Sequence, residues 1–268
     1  MTALDPTTWL PGGGLGASLE HRIAAGGKCL VPYLTGGLDG WTTMLSAVAE
    51  AGADGIEVGI PFSDPVMDGP VIQEASDRAL AAGATPPGIL DELARLDVDV
   101  PLAVMTYVNL VYRFGYERFA QTLVESSVSA AILPDLPLEE AGEWCELADA
   151  AGVETVMLAA PTASDERLER VVARARGFVY AVGLLGITGE REQLAASARV
   201  IAARTKALTS RPVLVGVGIS TPEQAVEVCE VADGVVVGSA VVRRALETGS
   251  PDAVAELVGS FRDALDRG

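Results

Sequence analysis

Eight short apolar runs recur along the chain, and a stretch with helical spacing separates each from the next. The runs cover residues 29–34, 55–60, 101–107, 130–134, 155–159, 178–182, 213–217 and 234–237. They are continuous rather than alternating, the pattern of strands buried on both faces of a parallel sheet. Between them, segments such as 42–51, 139–151, 164–175, 191–207 and 222–231 carry apolar residues three and four apart with charges between. Thr221-Pro222-Glu223-Gln224 reads as a helix start, while Ala51-Gly52 and Ala151-Gly152 read as helix stops. Eight strand–helix units predict an α/β fold, a single (β/α)8 TIM barrel. The competing doubly wound open sheet lacks its Gly-x-Gly-x-x-Gly fingerprint after the first run. A helical segment at 18–25 is expected as an extra N-terminal helix covering the barrel bottom. A further helix is expected at 88–96, after Thr85-Pro86-Pro87, and a final one at 252–266. Residues 1–268 read as one domain, with about the first 15 residues expected to be mobile.

Composition narrows the function. The 268 residues carry a formal net charge of −18, which argues against nucleic acid and against an anionic membrane surface. No apolar stretch reaches the roughly 18 residues of a membrane span, and residues 1–10 do not resemble a secretory leader. Cys29, Cys145 and Cys229 are far apart, with no C-x-x-C spacing, so free thiols in a reducing cytoplasm are expected. With His21 the one histidine of the chain, a histidine-rich metal site or a Ser-His-Asp triad has no basis.

In barrels of this kind the chemistry lies at the carboxyl ends of the strands. Glu57 sits inside the second run, between Ile56 and Val58, where a carboxylate is costly unless it is paired or used. Asp68 follows in the next loop, and two such acids can divide proton transfer between them. Asp135 ends the fourth run, as either a site residue or a loop cap. Tyr107 and Asn109 end the third, with Tyr107 read as a packing residue whose hydroxyl is satisfied. Tyr180, in the sixth, has an apolar body and polar tip suited to a ring-shaped ligand. Glycines form a second cluster: Gly186-Ile187-Thr188-Gly189, Gly216-Val217-Gly218 and Gly238-Ser239 follow the sixth, seventh and eighth runs. Backbone N–H groups at such positions hold phosphate, which lets an acidic protein bind an anion without a lysine.

With these residues in hand, the chain closely resembles the tryptophan synthase alpha subunit over about residues 30–246. The most specific match is Glu57-Val58-Gly59-Ile60-Pro61-Phe62-Ser63-Asp64-Pro65 with Asp68-Gly69-Pro70-Val71-Ile72-Gln73. The resemblance implies retro-aldol cleavage of indole-3-glycerol phosphate to indole and glyceraldehyde 3-phosphate, without a cofactor in this chain. It implies Glu57 as the general acid–base, Asp68 as acceptor for the indole N–H, and Tyr180 beside Glu57. Gly189, Gly218, Gly238 and Ser239 would hold the phosphate; Tyr107, Ile72 and Val217 would surround the ring; Thr188 would help close a loop over the substrate. A beta subunit carrying pyridoxal phosphate is the implied partner in an α2β2 heterotetramer, docking near Pro61, Asp64 and Asn109. The chain departs from the family pattern at Leu184, where many members carry arginine. A stand-alone lyase of specialised metabolism, a phosphosugar isomerase on the same barrel and an inactive scaffold are the competing expectations.

Overall fold

The structure, a computed structural model, describes residues 13–183, 191–216 and 218–268, with only the backbone of 191–196. The elements run α1 (Leu15–Ala24), β1 (Cys29–Thr35), α2 (Trp41–Glu50), β2 (Ile56–Gly59), α3 (Pro70–Ala81), α4 (Pro86–Leu93) and β3 (Leu102–Met105). They continue with α5 (Val108–Phe114), α6 (Tyr116–Glu125), β4 (Val128–Ile132), α7 (Gly142–Ala151), β5 (Glu154–Ala159), α8 (Asp165–Arg174) and β6 (Val179–Ala181). The last are α9 (Arg191–Lys206), β7 (Val213–Val215), α10 (Pro222–Cys229), β8 (Gly234–Val237), α11 (Ser239–Thr248) and α12 (Pro251–Arg267). All eight expected strands are present. They pair in sequence order, parallel throughout, and β8 closes onto β1. The fold is the expected (β/α)8 barrel.

Strand alternation divides the barrel into two layers. Ile56, Val58 and Ile60 belong to the layer between strands and helices, so Glu57 and Gly59 project inward. In β1, Leu30 and Leu34 face the helices, whereas Cys29, Val31 and Tyr33 face the interior. Both faces are dry, which is why the runs in the sequence show no polar alternation.

The N-terminal helix closes the bottom. Leu15 and Leu19 are fully buried against Cys29, Val31 and Phe178. Burying each such leucine contributes about 1.5–3 kcal/mol. The first turn of α1 has no side-chain cap of its own. Its cap comes from β5: the Glu154 carboxylate accepts the Gly16 N–H at 3.0 Å, while the Leu15 N–H donates to Ser129 Oγ at 3.2 Å.

Local signals behave as their chemistry dictates. Thr221 and Gln224 form a reciprocal capping box ahead of Pro222. Gly152 ends α7 in the left-handed conformation that glycine tolerates best. The third run is shorter than its apolar content suggests. β3 stops at Met105, Tyr107 caps α5, and Asn109 lies within that helix rather than at a strand end or in a loop. The cause is Asp135, whose Oδ1 accepts the Val108 N–H at 2.8 Å and so nucleates a helix where β-strand chemistry ends. Among the described residues, no helix is long and apolar enough to cross a membrane.

Candidate active site

A cavity of about 360 Å3 opens at the carboxyl end of the barrel. Its walls are mostly apolar, with Glu57 and Asp68 on one side and Gly216, Gly218, Gly238 and Ser239 on another. Such a volume suits one small molecule. A larger cavity lies at the opposite end, beside His21, Asp97 and Asp99. It contains none of the converging groups described next.

Glu57 is 1 % exposed, and its Oε2 is buried without a hydrogen-bond partner. Burial, reinforced by the negative charge of Asp68, pushes its carboxyl up to about 8. At neutral pH Glu57 is therefore a neutral acid facing an apolar cavity. Asp68 is also raised by burial, but a hydrogen bond from the Tyr107 hydroxyl counteracts part of that effect. Tyr107 is fixed in turn: its oxygen accepts the Met67 N–H at 3.1 Å, and its ring lies 5.2 Å from that of Phe62. Two carboxyls thus share one cavity in different environments, the arrangement that separates acid from base.

Tyr180 is buried, and burial holds its phenol protonated, far above the ordinary tyrosine range. Its position depends on Gly216 of the neighbouring strand segment. A Cβ at residue 216 would lie 2.2 Å from the Tyr180 oxygen, so any other residue would displace the ring. Ile72 lines the same cavity from α3.

The glycine-lined wall of the cavity is built largely from backbone. Gly238 and Ser239 begin α11, whose N-terminus carries no side-chain cap, and Gly218 has φ +84°. No lysine or arginine is among the described lining residues. Free N–H groups and the helix dipole are the attractive features available to a phosphate there. Thr188, Gly189 and Val217 lie outside the described residues, as does Leu184.

Asp135 caps α5 and does not line this cavity. At the rim, Asp64 and Asn109 are exposed, whereas Pro61 is buried and presents no surface for docking. Beside them Val66 and Tyr112 are 76 % and 74 % exposed, large apolar groups on an otherwise acidic surface. Sequence reasoning missed Tyr33, which lines the cavity from β1 directly beside Glu57 in the strand register. The signal was its parity with the inward-facing Cys29 and Val31.

Comparison with known proteins agrees with this geometry. A family model described as tryptophan synthase alpha chain matches residues 19–260. The chain is 43% identical over 257 residues to the tryptophan synthase alpha chain of Thermobifida fusca, covering 93% of this chain and 95% of that one. It is 45% identical over 257 residues to that of Streptomyces coelicolor, covering 94% of each. Among solved structures, the tryptophan synthase subunit alpha of Legionella pneumophila superposes with a TM-score of 0.86 at 34% identity, covering 95% of this chain and 98% of that one. A tryptophan synthase chain from Mycobacterium tuberculosis gives 0.87 at 34% identity, with the same coverage. A closed barrel, a cavity lined by Glu57 and Asp68, and likeness along nearly its whole length place the chain in the tryptophan synthase alpha chain family.

Proposed function

We propose that the chain works, as one barrel domain, as the α-subunit lyase that cleaves indole-3-glycerol phosphate into indole and glyceraldehyde 3-phosphate during tryptophan biosynthesis. The observation that carries this reading is the buried, unpartnered Oε2 of Glu57 facing a cavity it shares with Asp68. Such an oxygen is costly unless a ligand meets it.

The chemistry follows from the two carboxyls. Glu57, neutral at rest, gives its proton to indole C3. The ring becomes an indoleninium cation, and ionised Asp68 accepts the ring N–H and stabilises the positive charge. The Glu57 carboxylate then takes the proton of the adjacent glycerol hydroxyl. The C–C bond breaks, its electron pair returns to the ring, and an aldehyde forms. Glu57 ends protonated, ready for another turnover. General acid–base transfer of this kind contributes about 10²–10⁴ in rate. Gly218, Gly238, Ser239 and Gly189 hold the phosphate, with Thr188 on the closing loop. Ile72, Tyr107, Tyr180 and Val217 enclose the ring.

The partner is a tryptophan synthase beta subunit, joined as α2β2, which contributes the pyridoxal phosphate and consumes the indole. Val66, Tyr112, Asp64 and Asn109 supply the docking face; the exposure of two large apolar side chains supports this. Three buried free thiols fit a cytoplasmic setting. The test is indole release from indole-3-glycerol phosphate by the purified chain, alone and with a beta subunit. Weak activity alone and strong stimulation by the partner are expected. Full activity alone would favour a stand-alone lyase, and absence of indole in both would overturn the reading.

A further inference from the structure

We infer that the Tyr33 hydroxyl is a positioning residue for Glu57: it donates to the carboxylate that forms once Glu57 has given up its proton, and so aims that anion at the substrate hydroxyl. The inference rests on the lyase reading above and adds a residue that the family motifs do not single out.

Three observations converge. First, Tyr33 and Glu57 are register partners on the adjacent strands β1 and β2, and both face the barrel interior. Second, the Tyr33 side chain crosses onto β2. A Cβ built on Gly59 would lie 1.8 Å from the Tyr33 oxygen, so that hydroxyl occupies the inward side-chain place directly above Glu57. Residues two apart on one strand face are separated by about 7 Å. No hydrogen bond joins the two groups in the resting site, so the contact waits for Glu57 to ionise and turn toward the phenol. Third, Glu57 Oε2 is buried and has no partner in the resting site.

The electrostatics make a donor at this place consequential. The groups facing Glu57 are Asp68, from the loop after β2, and the phenols of Tyr33 and Tyr180. Asp68 opposes ionisation of Glu57. No lysine or arginine is among the described lining residues to offset the anion. The Tyr33 phenol is held protonated by burial, with Asp68 and Glu57 adding to that effect, and it stays a donor throughout the working pH range. A hydrogen bond to a carboxylate is roughly twice as strong as one to a neutral acid, so the contact favours the ionised form. The glycine at 59 is what permits it, since any larger residue would expel the phenol.

The experiment compares Tyr33→Phe with the wild-type chain, both complexed with a beta subunit, using indole-3-glycerol phosphate across pH 6–10. Phenylalanine keeps the ring and removes only the donor. We expect kcat to fall about tenfold with KM within about twofold, since the contact is made only after proton transfer. We also expect the alkaline limb of kcat/KM to move up by about half a pH unit or more, because the Glu57 anion has lost a donor. A merely structural role would leave that limb in place. Tyr33→Met, checked for wild-type melting behaviour, must give the same displacement and serves if the phenylalanine variant folds poorly. An active wild type with an unmoved limb and unchanged kcat in the folded variant overturns this role alone. A wild type that releases no indole overturns the lyase reading, and this role falls with it.

Discussion

Replacing Glu57 with glutamine should stabilise the protein while abolishing its chemistry, and the stabilisation should depend on pH in a defined way. The folded carboxyl is raised to about 8, against an ordinary value of 4.5. Below pH 4.5 the carboxyl is protonated in both folded and unfolded chains, and its titration contributes no difference in stability. Between 4.5 and 8 the unfolded chain releases the proton while the folded chain retains it. Stability therefore falls as pH rises through this window, then levels off above 8. The gap between about 8 and 4.5, at about 1.4 kcal/mol per pH unit, gives a total of about 5 kcal/mol. Glutamine does not titrate. The difference in stability between variant and wild type should be small at pH 5 and grow to about 5 kcal/mol in favour of the variant by pH 9. Titrating groups that do not interact with Glu57 cancel in that difference. For a chain of this size it corresponds to a rise in Tm of about 10–20 °C. Thermal melts of both proteins at intervals from pH 5 to 9, with indole release assayed alongside, measure it. Parallel Tm curves across that range would refute the argument, because they would mean Glu57 ionises as freely in the fold as in water.

Other outcomes follow from the same site. kcat/KM should decline above a pH near 8, since Glu57 must start protonated, and should also decline on acidification, at a pH above the ordinary aspartate range, as Asp68 gains its proton; a profile flat from pH 7 to 10 would contradict the assignment. Asp68→Asn should lower kcat about 10²–10³-fold with a modest change in KM, and an unaltered kcat would remove Asp68 from the mechanism. Gly216→Ala should cut turnover by displacing Tyr180, whose oxygen would lie 2.2 Å from the new Cβ; wild-type kinetics in that variant would show that the Tyr180 position is unimportant.

The barrel was legible in the sequence because burial on both faces turns strands into unbroken apolar runs, and eight of them without a dinucleotide fingerprint favour a closed barrel over an open parallel sheet. Glu57 was legible for the opposite reason, as a charge where none belongs. What escaped were features set by distant partners. Asn109 sits in a helix because Asp135 holds the N–H of Val108, 27 residues before it in the chain, and nothing near Asn109 announces it. Tyr33 looked like ordinary strand material. Its importance appears only when strand parity, register with Glu57 and the missing side chain at Gly59 are combined. Pro61 belongs to a motif that reads as a partner-docking loop, yet the fold buries it.

The carboxylate of Glu154 has a consequence for how the molecule is made. It completes the first turn of the first helix from a position 138 residues downstream. As the chain leaves the ribosome, residues 15–24 are synthesised long before the group that anchors them exists. The floor of the barrel therefore cannot be laid until more than half the protein has emerged, and during that interval Leu15 and Leu19 are bare apolar surface in search of shelter.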